Sequence, residues 1–236
     1  MIDVCLLGTA GTMPLPERAL SAMLFRVEST LYLVDCGEGT QVPMRTLGWG
    51  YRAIDAIFIT HVHGDHIGGL PGLLLTMGNS FRDRPVDIYG PPGLRRVVRG
   101  LRMIAPSLPF EIRVHELREA MSFSVGPMRV QVMPMDHSVP CLAYRFNLER
   151  ARPFLPERAR TLEIPVDRWK QLQKGRSVRL RGRTFHPDDV LGPPRPGLSL
   201  AFVTDTNPIN SIVDLVEGVD LLVCESTYAL EEDREK

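Results

Sequence analysis

The chain has 236 residues, 44% of them apolar, enough to bury one substantial core without requiring a second domain. Its 28 lysines and arginines balance 28 aspartates and glutamates, so bulk charge recruits neither nucleic acid nor an anionic membrane, and any polyanion must meet a local patch. No stretch approaches the ~18 apolar residues of a membrane span, and the opening MIDVCLLGTAG lacks a basic stretch followed by an apolar run; we expect a cytoplasmic protein with no membrane partner.

In chain order, short apolar and β-branched runs predict strands over 3–7, 23–27 and 31–34, then a helix over 39–47 and a strand over 56–59. A helix over 67–77 follows, with Pro71 either kinking it or marking its true start. Beyond it come a strand over 86–89, a helix over 93–104, and strands over 128–133 and 142–146. Two short helical pieces are expected over 157–162 and 166–173, then a strand over 198–203, a helix over 209–216 and a strand over 220–224. Alternation of this kind describes a layered α/β fold in which helices cover sheet. Cys5, Cys36, Cys141 and Cys224 are far apart and form no CxxC, which favours reduced thiols over disulfides or a zinc ribbon.

One region departs from the neutral balance. Residues 145–183 hold twelve cations against Glu149, Glu157, Glu163 and Asp167, a net of +8 that the rest of the chain must cancel. With Pro153, Pro156, Pro165 and Trp169 among basic residues, this reads as a basic arm, at about 149–183, inserted in a single domain spanning 1–236. A solvated surface insertion is the plainer alternative.

The strongest signal is ITHVHGDHIGGLPGLL, Ile59 to Leu74, which packs three of six histidines and an aspartate into six positions. The strand ending near Ile59 would place His61, His63, Asp65 and His66 on the loop leaving its carboxyl end, where open α/β sheets build their sites. His61 and His63 point the same way in an extended segment, and Gly64 would free the backbone to turn Asp65 and His66 towards a second point. Nitrogen and carboxylate donors at this density suit zinc, with manganese or iron as alternatives. Two further candidates follow strands in the same manner: His137 in MRVQVMPMDHS and Asp205 in LSLAFVTDTN, although Asp205 could also simply cap a helix. His115 and His186 have no such setting and are expected to be structural or surface residues.

HVHGDH, with LYLVDCGEGTQ upstream, GLPGLL at Gly69 to Leu74 and YGPPGL at Tyr89 to Leu94, resembles the metallo-β-lactamase superfamily and within it the ribonuclease Z family. The resemblance implies an αββα sandwich, incomplete at the carboxyl end, with a protruding basic arm. It also implies an endoribonuclease, usually homodimeric, that removes the 3′ trailer from precursor tRNA and leaves a 3′ hydroxyl. Carried over, His61, His63 and His137 would hold one Zn2+, Asp65 and His66 a second, and Asp205 would bridge them, with Asp35 supporting from behind. Two metals about 4 Å apart would clamp a hydroxide that attacks the phosphorus in line, while Asp65 orients it and can take its proton as the new bond forms. Glu225, in VCESTY, would orient a catalytic histidine, and the arm would grip RNA through Arg152, Arg158, Arg160, Arg168, Trp169, Lys170 and Lys174.

In the family, EEDREK-like sequence runs on to a proton-donating histidine and a last histidine ligand, which this chain does not reach. The chain alone is therefore expected to be a fragment or a naturally short member with negligible activity. Two rival readings stay open: another hydrolase of the superfamily acting on a small phosphodiester or lactone, and a non-catalytic tRNA-binding or dimerising subunit.

Overall fold

The structure is a computed structural model that describes residues 1–226; the expected EEDREK element, 231–236, lies outside the described residues. The described residues divide into two compact units, 1–147 with 199–226, and Leu148–Leu198. The first unit opens with β1 (Ile2–Gly8), β2 (Ala22–Val27) and β3 (Thr30–Val34), an antiparallel meander. Then come α1 (Gln41–Leu47), β4 (Ile54–Phe58), a helical turn α2 (Gly64–Ile67), α3 (Leu70–Asn79), β5 (Val86–Gly90), α4 (Leu94–Leu101) and β6 (Ile112–Glu116). β3, β4, β5 and β6 are parallel neighbours, completing a six-stranded sheet in sequence order. Their carboxyl ends therefore share one edge, from which the HVHGDH segment emerges.

The chain continues into β7 (Met121–Val125), β8 (Met128–Met135) and β9 (Cys141–Leu148). After the second unit it returns as β12 (Leu198–Val203), α8 (Asn210–Val216) and β13 (Leu221–Cys224), giving a five-stranded sheet ordered β13-β12-β9-β8-β7. The sheets meet through aromatic side chains: Phe58 of β4 lies 4.9 Å from Phe146 and 5.4 Å from Tyr144 of β9, and Phe25 of β2 lies 4.8 Å from Phe146. Buried Tyr144 donates its hydroxyl to the Ile59 carbonyl at 2.7 Å, so its polar end is satisfied inside the sandwich. On its outer face the first sheet packs Leu33, Ile57 and Ile88 against Met44, Leu70, Leu73 and Leu94 of the helices. Each such burial stabilises by roughly 1.5–3 kcal/mol. α8 covers the second sheet through Leu215, Val203 and Cys141. Two faced sheets with helices outside each make the expected αββα sandwich.

Within Leu148–Leu198 lie α5 (Pro156–Thr161), α6 (Val166–Gln173), a hairpin of β10 (Val178–Leu180) and β11 (Arg183–Phe185), and α7 (Pro187–Val190). This unit has its own small core of Ala159, Ile164, Leu172, Val178, Phe185 and Val190.

Three local differences from the sequence reading have physical causes. β6 and β7 were not anticipated because each is an edge strand, and IRVHE and MSFSV carry the polar residues that a half-exposed edge tolerates. The helix expected over 67–77 is two pieces: at the junction Gly69 N–H bonds the Cys36 carbonyl instead of the preceding turn, and Pro71 sits in the first turn of α3, where no amide hydrogen is needed. α4 ends at Leu101 and a 3-10 turn, Arg102–Ile104, completes the stretch. Among the described residues no helix is long and apolar enough to cross a membrane.

Candidate metal centre

Two loops build the floor of the centre. After β3, Asp35 adopts a left-handed backbone (φ 57), a conformation that aspartate tolerates better than most residues. The next amide, Cys36 N–H, donates to the His66 carbonyl at 2.7 Å, and Gly69 N–H returns a bond to the Cys36 carbonyl at 2.8 Å. The loops touch so closely that a Cβ on Gly69 would lie 2.0 Å from the Gly37 carbonyl oxygen. DCG and GG are therefore steric requirements for seating His66 against Asp35.

The HVHGDH segment is not one extended loop. His61 and His63 precede α2, whereas Asp65 and His66 ride on that helical turn. Gly64 takes no positive φ and a Cβ there would meet nothing within 4 Å, so the turn does not depend on glycine's freedom as the sequence reading supposed. β8 delivers His137 and β12 delivers Asp205 from the opposite sheet.

The side chains converge in two overlapping groups, His61 with His63 and His137, and His61 with His66 and Asp205, each with its donor atoms within 4.8 Å of one another. His137 Nε2 stands 3.2 Å from His63 Nδ1, a distance at which two lone pairs repel unless a proton or cation lies between them. His66 Nε2 is 3.4 Å from Asp205 Oδ1 and 3.7 Å from Asp65 Oδ2. Asp65 thus stands beside the second group. Most telling, His61 Nε2 and His66 Nε2 are buried with no hydrogen-bond partner among the described residues. Orphaned buried nitrogens are costly, and a metal ion between them removes the cost. The donor set fits a metal.

Each orphan is aimed by its other ring nitrogen. His66 Nδ1 meets Asp35 Oδ2 at 2.8 Å, an aspartate–histidine pair that leaves Nε2 facing the centre. Burial alone would push His66 down, but the charge and hydrogen bond of Asp35 overcome it and hold the imidazole up at about 9. His61 is pulled down to about 3 by burial and by the charge of His66 beside it. For Asp205, burial raises and the Thr204 and Glu225 hydrogen bonds lower; the result is a carboxylate held at about 2. Burial pushes Glu225 up. Among the described residues it has no hydrogen bond to a histidine; its Oε2 lies 2.6 Å from the Thr204 hydroxyl.

Three threonines in this apparatus escape a search for ligands. The Thr60 hydroxyl lies 2.8 Å from Asp35 Oδ2, 3.0 Å from Asp35 Oδ1 and 3.1 Å from His61 Nδ1, while its amide donates to Asp35 Oδ1 at 2.8 Å. Having given its one hydrogen to the carboxylate, the hydroxyl accepts from His61 Nδ1–H and presents Nε2 to the centre. Thr204 sits between Asp205 and Glu225, 2.7 Å from Asp205 Oδ1. Thr12, left-handed at φ 60 despite its branched side chain, donates its amide to Asp65 Oδ2 at 2.8 Å. The only hint in sequence was that Thr60 and Thr204 adjoin a candidate ligand. Thr12, Glu38, His63, Asp65, Gly68 and Asp205 line a cleft of about 600 Å³ over the centre.

Comparison with known proteins gives this arrangement a lineage. Over 233 residues, 98% of the chain, it is 46% identical to the ribonuclease Z of Lachnoclostridium phytofermentans and spans 77% of that protein. The chain belongs to the ribonuclease Z family. A family model described as anti-Pycsar protein Apyc1 also matches residues 2–151, a stretch that ends before Asp205 and most of the second unit. The short form of human tRNase Z is 33% identical with a TM-score of 0.56, over 62% of this chain and 64% of that one. The metallo-β-lactamase fold protein YhfI from Bacillus subtilis shares the fold at 18% identity and a TM-score of 0.63, over 94% of this chain and 69% of that one.

In this ribonuclease Z family member the expected arm residues have unequal surroundings. Arg152 pairs with Asp188 and donates to the Gly192 carbonyl at 2.6 Å, and Trp169 donates to the Ile164 carbonyl at 2.9 Å while packing on Phe154, so both hold the second unit together. Arg160 pairs with Glu157, and Arg168 lies 3.3 Å from Asp167. Arg158, Lys170 and Lys174 are exposed, with no ion-pair partner among the described residues. His115 pairs with Asp87 at 2.7 Å, and His186 caps α7 in the second unit; neither belongs to either donor group.

Proposed function

We propose that the chain is a zinc-dependent endoribonuclease that removes the 3′ trailer from precursor tRNA. The observation that carries this reading is the pair of buried, partnerless imidazole nitrogens shared between two donor groups at the mouth of a ribonuclease Z family sandwich. His61, His63 and His137 would hold one zinc, and His66, Asp65 and Asp205 a second, with Asp205 near enough to both groups to bridge. Bound to such donors, zinc supplies Lewis acidity to a phosphodiester and brings water's pKa towards neutrality.

The chain's own groups would do the rest. Asp65, anchored through one oxygen by the Thr12 amide, orients the attacking water and takes its proton, and in-line attack leaves a 3′ hydroxyl on the tRNA. Glu225 acts on Asp205 through their side-chain hydrogen bond, with the Thr204 hydroxyl against both carboxyl groups, keeping Asp205 turned to the metals. Asp35 and Thr60 fix the tautomers of His66 and His61. Exposed Arg158, Lys170 and Lys174 meet phosphates of a substrate read by shape more than by base sequence, while Arg152, Arg160, Arg168 and Trp169 shape the arm that presents them. Free cysteines throughout the described chain support a reducing, cytoplasmic compartment; homodimer assembly rests on family resemblance alone.

The test is cleavage of labelled precursor tRNA by zinc-supplemented protein, as the chain itself and as a chimera carrying the part of the Lachnoclostridium relative outside the aligned 77%. A new 3′ hydroxyl at the trailer junction is expected from the chimera. If the chimera hydrolyses a small phosphodiester and leaves the transcript intact, the substrate assignment is wrong.

A further inference from the structure

We propose that the arginine row of α4 and its following turn, Arg95, Arg96, Arg99 and Arg102, is a second polyanion-binding surface that takes the phosphate backbone of RNA. The inference rests on the RNA substrate proposed above and concerns a face that contributes nothing to the metal centre. Residues 94–110 contain four arginines and no acid, a local net of +4 in a chain of net zero. Positions 95, 99 and 102 are spaced i, i+4, i+7 and share one helical face, with Arg96 on its flank. The row rises ~10 Å, the axial length of about three base pairs.

The setting keeps these charges available. None of the four has an ion-pair partner among the described residues, although Arg113 on neighbouring β6 is matched by Glu111 at 2.8 Å. Arg95 donates to the Val114 carbonyl at 2.6 Å and Arg102 to the Pro106 carbonyl at 3.4 Å, which tethers the ends of the row. The side chains of Arg96 and Arg99, both exposed, make no hydrogen bond among the described residues. A groove of about 320 Å³ runs beside the row against edge strand β6, floored by Val98, Ile112 and Val114 and flanked by Arg95, Arg99 and Arg102. The aliphatic stems cover that floor and hold the guanidinium groups up. The amino terminus of α4 is not the site, because Glu116 Oε1 already accepts from the Gly93 and Arg95 amides at 3.0 Å each.

Position argues for RNA over an acidic protein. Three residues separate the end of β5 from α4, and β5 is bonded to the strand that carries the ligands: Ile59 N–H donates to the Tyr89 carbonyl at 2.8 Å. The row therefore leads away from the edge of the sheet where the scissile phosphate would sit. Guanidinium groups match phosphate oxygens in pairs, and successive ones along a helix suit a backbone with repeating charge.

The experiment measures binding of a fluorescein-labelled precursor tRNA transcript by anisotropy across a salt series, for the unaltered protein and for the Arg96→Gln/Arg99→Gln variant. Removing two phosphate contacts should weaken binding about tenfold at low salt and reduce the slope of log affinity against log salt by about 1.4–1.8. Zinc content and melting temperature should stay unchanged, and Arg96→Lys/Arg99→Lys should recover most of the affinity and slope. Unchanged affinity and slope in the Gln variant would overturn the proposal. So would tighter capture of polyglutamate than of RNA by the unaltered protein, which would assign the groove to an acidic protein. A protein that binds the transcript through this row yet never cleaves it, even when completed as the chimera above, would sink the proposed activity and leave the surface standing.

Discussion

Thr60→Val removes one oxygen from the centre and preserves side-chain shape. In the native arrangement the Thr60 hydroxyl lies 2.8 Å from Asp35 Oδ2 and 3.1 Å from His61 Nδ1, with the residue fully buried. Valine leaves Asp35 with the Thr60 amide and His66, so the carboxylate keeps two partners. His61 keeps none at Nδ1. An unpaired buried donor costs about 1–3 kcal/mol, and the imidazole can escape that cost by rotating or by moving its proton to Nε2, either of which spoils it as a ligand. At about 1.4 kcal/mol per tenfold, the expected loss is about 5–150-fold in zinc affinity, overlapping the 10–100-fold typical of residues that orient ligands. Competition with a chromophoric chelator measures it directly. Thr60→Ser, which keeps the hydroxyl, should bind within a few-fold of the unaltered protein even if it is less stable. Native zinc affinity in the valine variant would refute the orienting role.

Two further outcomes follow from the same geometry. His66 is held up at about 9, so metal-free protein carries its proton at neutral pH, and ligation through Nε2 must expel it. Zinc affinity should rise by up to about tenfold per pH unit between pH 7 and about 9, with close to one proton released from His66; pH-independent affinity in the chelator assay would contradict this. Because that pKa is raised above its unfolded value of about 6.5, its stabilisation of the metal-free fold is complete below that pH and is lost as pH rises through about 9. Gly69→Ala drives a Cβ to 2.0 Å from the Gly37 carbonyl oxygen and should cost about 1–3 kcal/mol or more, whereas Gly64→Ala meets nothing within 4 Å and should melt like the parent protein. Equal melting temperatures for the two variants would show that the two loops are not closely apposed.

The core strands were legible because burial on both faces leaves unbroken apolar runs: AMLF, LYLV and LAFV announce themselves, and the observed ends lie within about two residues of those expected. β6 and β7 did not, since edges carry polar residues. In the centre, the spacing HxHxDH was readable as donor density. Its division between an extended segment and a helical turn was not, because that depends on the Cys36 and Gly69 hydrogen bonds from a distant loop. Thr12 lies 53 residues from the carboxylate it holds, and no local pattern marks it. Trp169, named with the RNA-gripping residues of the arm, has Phe154, the Ile164 carbonyl and the Arg160 guanidinium as neighbours in space, a setting that its place among basic residues in the sequence does not announce.

The donors come from both sheets, and that has a consequence for the protein's lifetime. On the proposed ligand set, one ion ties His63 to His137 across 74 residues of chain, and Asp205 draws in 68 more. A clip that closes such long loops restricts the unfolded chain as a disulfide would, and needs no oxidised cysteine to do so. Free zinc at a hundred times its dissociation constant would add about 2.7 kcal/mol to the folded state, a large share of the 5–15 kcal/mol that holds a typical domain together. On that ligand set, a protein starved of metal would lose the rivet between its two sheets, and its open chain would be exposed to proteolysis. Metal supply would then govern how many copies of the protein a cell retains as well as how many are competent.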